Sequence, residues 1–121
     1  YCPASPPSTM SLIDRTLLDE LADLLGPQLA PILATYRTQV GSYQDELTRA
    51  AAANDFEALR RAAHGLKGAS ASVGATALHD AMQALEHAAA RGDGVAATAA
   101  LSALPALARD TLAALAPSER G

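Results

Sequence analysis

Leu29, Leu33, Tyr36, Val40, Tyr43, Leu47 and Ala50 follow one another at steps of 4, 3, 4, 3, 4 and 3. Such spacing keeps every one of them on the same side of an α-helix, because 3.6 residues complete a turn. A strand would need apolar residues at every second position, and no such alternation lasts long enough in this chain to propose a sheet. Phe56, Leu59, Ala63, Leu66, Ser70 and Val73 repeat the helical pattern. So do Leu17, Leu18, Leu21, Leu24 and Leu25 before them. After them come Leu78, Ala81, Leu85 and Ala88, with Met82 beside the stripe, and then Leu101, Leu104, Ala108, Thr111 and Leu115.

Five helices are therefore predicted, over about 12–25, 27–53, 56–73, 75–91 and 95–116. The punctuation agrees. Gly26-Pro27 ends the first and opens the second, with proline suited to a first turn. Pro31 falls close enough to that turn to be tolerated. Asn54-Asp55 breaks the second helix and offers an N-cap to the third. Gly74 is a C-terminal cap for the third, Gly92-Asp93-Gly94 is a tight connection, and Pro105 should kink the fifth. Short links between helices of similar length make neighbours antiparallel. The expected fold is all-α, an antiparallel up-down four-helix bundle with a short extra N-terminal helix. By domain, residues 1–11 read as a Pro/Ser-rich linker tail, 12–116 as the bundle, and 117–121 as a disordered C-terminal tail. With no initiator methionine, the bundle is expected to be one module of a longer polypeptide.

Alanine and leucine dominate a 121-residue chain that is 50% hydrophobic but only 3% aromatic, which suits closely spaced helices in one domain. The net charge of −4 argues against a general nucleic-acid binder. No apolar run approaches 18 residues, so no membrane span is expected, and the N-terminus lacks the order of a secretory signal. The lone Cys2 can form no internal disulfide, which fits a reducing cytoplasm.

Within the third helix His64 is followed one turn later by Lys67, the only lysine. Gly65 and Gly68 lie inside the same helix, and each costs roughly 1 kcal/mol relative to alanine at an exposed site. If Ala63 and Leu66 face inward, His64 faces out, with Arg60 and Arg61 one turn before it and Lys67 and Gly68 one turn after. A neutral imidazole is nucleophilic near pH 7, neighbouring cations can hold a phosphoryl group, and a bare Gly68 lets another protein come close. His79 and His87 lie on another helix and nothing brings them to His64, so no metal site is expected. Spacing alone leaves a second reading open, in which His64 is an ordinary surface histidine. Tyr36 and Tyr43 read as core fillers, and His79 and His87 as scaffold.

His64-Gly65-Leu66-Lys67-Gly68-Ala69-Ser70 followed by Gly74-Ala75 resembles the signature of the histidine-containing phosphotransfer (HPt) domain family, His-x-Leu-Lys-Gly-x-Ser and then Gly-Ala. Leu78, Leu85-Glu86 and Arg91-Gly92 resemble that family's next helix, and the likeness spans roughly 13–116. Gly65 departs from it, standing where the family commonly has a small residue with a β-carbon.

The resemblance implies a bundle that accepts a phosphoryl group on an exposed histidine from a receiver-domain aspartate and passes it to another receiver. His64 would be the acceptor through Nε2, Lys67 would stabilise the phosphoryl charge, and Glu86 would orient the imidazole through Nδ1. Arg60, Arg61, Gly68 and Ala71 would meet the receiver. The domain would be a carrier and not an enzyme, with no ATP site and no cofactor of its own, and any Mg²⁺ would sit in the receiver. The expected setting is the C-terminal module of a hybrid sensor kinase, cytoplasmic, with the parent free or anchored in the inner membrane. The isolated domain would be monomeric, without direct membrane contact. Two other classes are distinct in kind: a non-catalytic helical adaptor with His64 incidental, and the phosphate-carrying module of a chemotaxis-type kinase.

Overall fold

The computed structural model describes residues 12–119, so Cys2 and the tail expected over residues 1–11 lie outside the described residues. Among the described residues there are five α-helices: α1 (Arg15–Leu25), α2 (Leu29–Ala52), α3 (Phe56–Ser72), α4 (Thr76–Arg91) and α5 (Gly94–Glu119). A 3₁₀ turn over Gly26–Gln28 joins α1 to α2, so the second helix starts two residues later than expected. Pro27 sits within that turn, where a missing N–H costs nothing. The four long helices close a ring in which α3 packs on α2 and α4, and α5 packs on α4 and α2. That is the expected four-helix bundle, with α1 as the extra helix.

Aspartates open three of the helices. Asp14 accepts from the Leu17 N–H at 3.1 Å, Asp55 from Ala58 at 3.0 Å and Asp93 from Ala96 at 3.1 Å. Each cap satisfies a donor that the helix cannot pair internally, and is worth about 1 kcal/mol. Asn54 takes φ +54° as α2 ends, and Gly92 takes φ +70° after α4. Asparagine and glycine are the residues that adopt this left-handed geometry most readily.

The α3–α4 connection also secures α1. The Asp14 N–H donates to the Gly74 carbonyl at 2.6 Å, and Ile13 is buried beside it. Gly74 has φ +77°, and a Cβ there would lie 3.3 Å from the Asp14 carbonyl oxygen. Both the backbone and the tight packing therefore disfavour a side chain at this position.

The core follows the stripes, with a few shifts. Met82 is fully buried on α4 while Ala81 stands at the rim, the reverse of the expected order. The helix turns slightly so that the longer side chain fills the interior, which the spacing permitted either way. Tyr43 and Phe56 are half-buried at the edges of their stripes, and Leu24 is 81% exposed at the end of α1. The α5 helix runs unbroken through Pro105, which faces solvent, so water can meet the Leu101 carbonyl that proline leaves unpaired. It also continues three residues beyond the expected end at Ala116, through Pro117. From Gly94 to Pro117 it is long and apolar enough to cross a membrane by length and composition alone, although no uninterrupted apolar run approaches 18 residues. Interspersed Ser, Thr and Pro hide that average. In the bundle its inward side, Ala97, Leu104, Ala108, Thr111 and Leu115, is a wall of the core.

Candidate functional site

The capped start of α3 and its buried side, Leu59, Ala63, Leu66 and Ser70, fix the helix's rotation. Ser70 is held in that core, its hydroxyl 2.6 Å from the Tyr36 hydroxyl on α2. Burial pushes the Tyr36 phenol up to about 12, with the Ser70 bond acting the other way. Both hydroxyls are satisfied by one bond that ties α2 to α3, and Tyr36 is the core residue it was expected to be.

With that face inward, His64 and Gly68 point away from the bundle. The His64 side chain is 65% exposed. On α4, Leu85 and Ala89 turn inward and leave Glu86 at the seam with α3, its side chain only 15% exposed. One Glu86 oxygen, Oε2, lies 2.9 Å from His64 Nδ1, and the other, Oε1, lies 2.7 Å from Lys67 Nζ. A single carboxylate thus joins the imidazole and the ammonium, which sit three residues apart on one helix.

The protonation states follow from this geometry. The Lys67 bond, seconded by that of His64, holds the Glu86 carboxyl below its ordinary value, against partial burial. An ionised carboxylate can only accept, so Nδ1 must carry the hydrogen. In a neutral imidazole the lone pair is then on Nε2, the nitrogen directed away from Glu86. The site therefore presents a nucleophilic nitrogen to solvent, in a ring whose rotation is fixed from behind. Lys67 spends one N–H on Glu86 and keeps two for an arriving anion.

Not every residue expected here gathers at the imidazole. Arg60 pairs with Glu57, through Nη2 to Oε2 at 2.6 Å and Nε to Oε1 at 3.2 Å, and its charge also reaches Glu86. Arg61 faces a groove between α2 and α3. Ala71 is exposed two turns along α3, beside a depression it shares with Leu17 and His79. Gly68 is exposed, and a Cβ there would meet nothing within 4 Å. Nothing inside the bundle requires glycine at 68, so the space it leaves is open to the outside.

Gly65 differs. A Cβ at 65 would fall 2.6 Å from Tyr43 Oη and 2.9 Å from Cε1 and Cζ of the same ring. The missing side chain makes the seat for a tyrosine from α2. By its spacing Tyr43 reads as a core filler on the α2 stripe; the structure leaves it half-buried at the rim, and nothing in the spacing pairs it with Gly65. His79 Nδ1 lies 3.0 Å from Asp80 Oδ1, and His87 is exposed. Among the described residues no three His, Cys, Asp or Glu side chains are grouped to hold a metal ion.

A ring of antiparallel helices that displays one buttressed imidazole, with a cation beside it and cleared backbone one turn on, is the architecture of a helical-bundle histidine carrier. The Hpt domain model matches residues 31–116, and the chain belongs to the Hpt domain family. The crystal structure of histidine-containing phosphotransfer protein B (HptB) from Pseudomonas aeruginosa PAO1 is similar, with a TM-score of 0.85 and 27% identity, covering 96% of this chain and 97% of that one. No curated protein matches the chain. Membership makes this a histidine phosphotransfer module of a phosphorelay. Its general class of partner is the receiver domain, and it carries phosphoryl groups in the manner of its family and not as a kinase.

Proposed function

We propose that His64 is the phosphoryl-carrying residue and that it exchanges its group with receiver aspartates. The observation that carries this reading is the Glu86 carboxylate behind the ring, at 2.9 Å from Nδ1. In the neutral ring it places the hydrogen on Nδ1 and so leaves the lone pair on Nε2. In transfer, the Nε2 lone pair forms a bond to phosphorus while the bond from phosphorus to the aspartyl oxygen breaks, and the electron pair leaves with the receiver's carboxylate. The ring becomes cationic as the N–P bond forms. Glu86 faces that charge through the Nδ1 hydrogen and stabilises it, and the same contact serves the return transfer. Lys67 turns its two remaining N–H groups to the phosphoryl oxygens. Mg²⁺ used in the step belongs to the receiver's acidic pocket.

The receiver approaches over Gly68, where no side chain intervenes. A groove of about 370 Å³ between α2 and α3, lined by Pro31, Ile32 and Ala69 among others, offers it an apolar contact next to that opening. Ile32 is 43% exposed there. We place the module within a hybrid sensor kinase, where a tethered receiver would sit at millimolar effective concentration. Sequencing the parent gene tests that setting: a receiver encoded just upstream of this segment would support it, and a gene without one would remove it.

Incubation with an aspartyl-phosphorylated receiver should give a label that is acid-labile and base-stable. His64→Gln should abolish it. Gly68→Gln should fold normally and block transfer by bulk. Labelling that survives His64→Gln contradicts the assignment, and full-rate transfer by Gly68→Gln contradicts the docking face.

A further inference from the structure

His64 stands between two unlike flanks. Toward α4, about 60° around the helix, lies Lys67 on its bond to Glu86. Toward α2, about 100° around, lies Gly65, covered by the Tyr43 ring. The two tyrosines of α2 are used differently. Tyr36 is buried and its hydroxyl is bonded to Ser70. Tyr43 is half-buried, and among the described residues its hydroxyl has no protein partner. Its oxygen rests over bare backbone, one residue from the proposed carrier.

We propose that Tyr43 is a receiver-recognition residue of this chain, its ring seated on Gly65 so that the phenol stands on the docking face beside His64. This rests on the reading of His64 given above. A receiver that reaches Nε2 covers about 800 Å² in an interface of ordinary size, so it cannot avoid the residue next along the helix. A tyrosine has two rotatable side-chain bonds, and here the glycine seat fixes it further, so binding costs little additional ordering. The phenol offers one donor and an acceptor to a partner's polar surface. Beyond the ring, a groove of about 520 Å³ is lined by Tyr43, Glu46, Arg49, Asp55, Arg61 and Ala62 among others. Asp55 is engaged as the α3 cap. Neither arginine has an ion-pair partner among the described residues, in a chain with 13 acidic against 9 basic residues. Tyrosine and arginine are the residues that anchor interfaces most often.

Tyr43→Phe tests this directly, because the ring keeps its seat and only the hydroxyl is lost. Two donors are compared: phosphoramidate, which needs no docking face, and a receiver domain phosphorylated with acetyl phosphate and chosen because it labels the unmodified chain. Loss of one hydrogen bond should raise the KM for the receiver about 3- to 10-fold, with kcat little changed. Receiver-dependent labelling should fall by more than phosphoramidate labelling. An unchanged receiver KM, or an equal fall with both donors, overturns the recognition role while leaving His64 as carrier. Failure of phosphoramidate to label His64 in the unmodified chain overturns the carrier assignment itself, and this proposal with it.

Discussion

Glu86 carries more of the site than any residue except His64. It is one carboxylate with two tasks, fixing the tautomer of the ring and holding Lys67 at its side. Its folded-state pKa is depressed, chiefly by Lys67 and then by His64. The stability linked to it is therefore fully present above the unfolded carboxyl value of about 4.3, and is lost as pH falls through the lower folded value. Glu86→Gln should cost about 0.5–1 kcal/mol at pH 7. The gap between variant and wild type should close as pH falls from 5 toward 3, followed by urea midpoints. It should also slow phosphoramidate labelling about tenfold, because an amide can donate as well as accept and no longer enforces one tautomer. Thr111 tests a different point. Its hydroxyl is fully buried on α5 and has no hydrogen-bond partner among the described residues. Thr111→Val removes that buried polar atom at nearly constant volume and should raise stability by about 1 kcal/mol without changing transfer. A lowered urea midpoint would show that the hydroxyl is satisfied after all.

Among the elements, the α3–α4 turn does the most with the fewest residues. Gly74 accepts the Asp14 N–H, adopts φ +77° and would bring a β-carbon within 3.3 Å of the Asp14 carbonyl oxygen. Gly74→Ala should destabilise the chain by about 1–2 kcal/mol. Backbone amides from Ile13 to Leu18 should then exchange faster with deuterium, while α2 to α4 keep their protection. Uniform loss of protection would mean that the turn is not a local strap. This element also shows what the sequence could and could not reveal. The stripes on α2 and α3, the Asp55 cap and the glycine at 74 were legible because helix period and capping are local rules. The start of α2 was misplaced because a 3₁₀ turn and a first helical turn share the same residues. The Tyr43 seat was missed because it joins two helices, and one chain's spacing says nothing of which edge residue on α2 meets which glycine on α3. Arg60 and Arg61 were placed on the right face, but their partners, Glu57 for one and a groove for the other, depend on side-chain choices that periodicity does not determine.

At the scale of the whole molecule, the bundle is a rigid stand for one exposed ring. Helices α2 and α4 hold α3 from both sides, and the capped, short connections leave few ways for its outer face to rotate. The core is mostly Ala, Leu and a few larger side chains, so helices approach closely and Glu86 on α4 can reach α3 across the seam. The fold thereby supplies what the chemistry of the proposed carrier requires: an imidazole open to a partner and a carboxylate held behind it. The most direct test is the position of the phosphoryl group. The chain should be enriched in ¹⁵N, labelled with phosphoramidate, and its histidine nitrogens read for coupling to ³¹P. Coupling at Nε2 of His64 alone is the predicted result. Coupling at Nδ1 of His64, or at His79 or His87, would contradict the account.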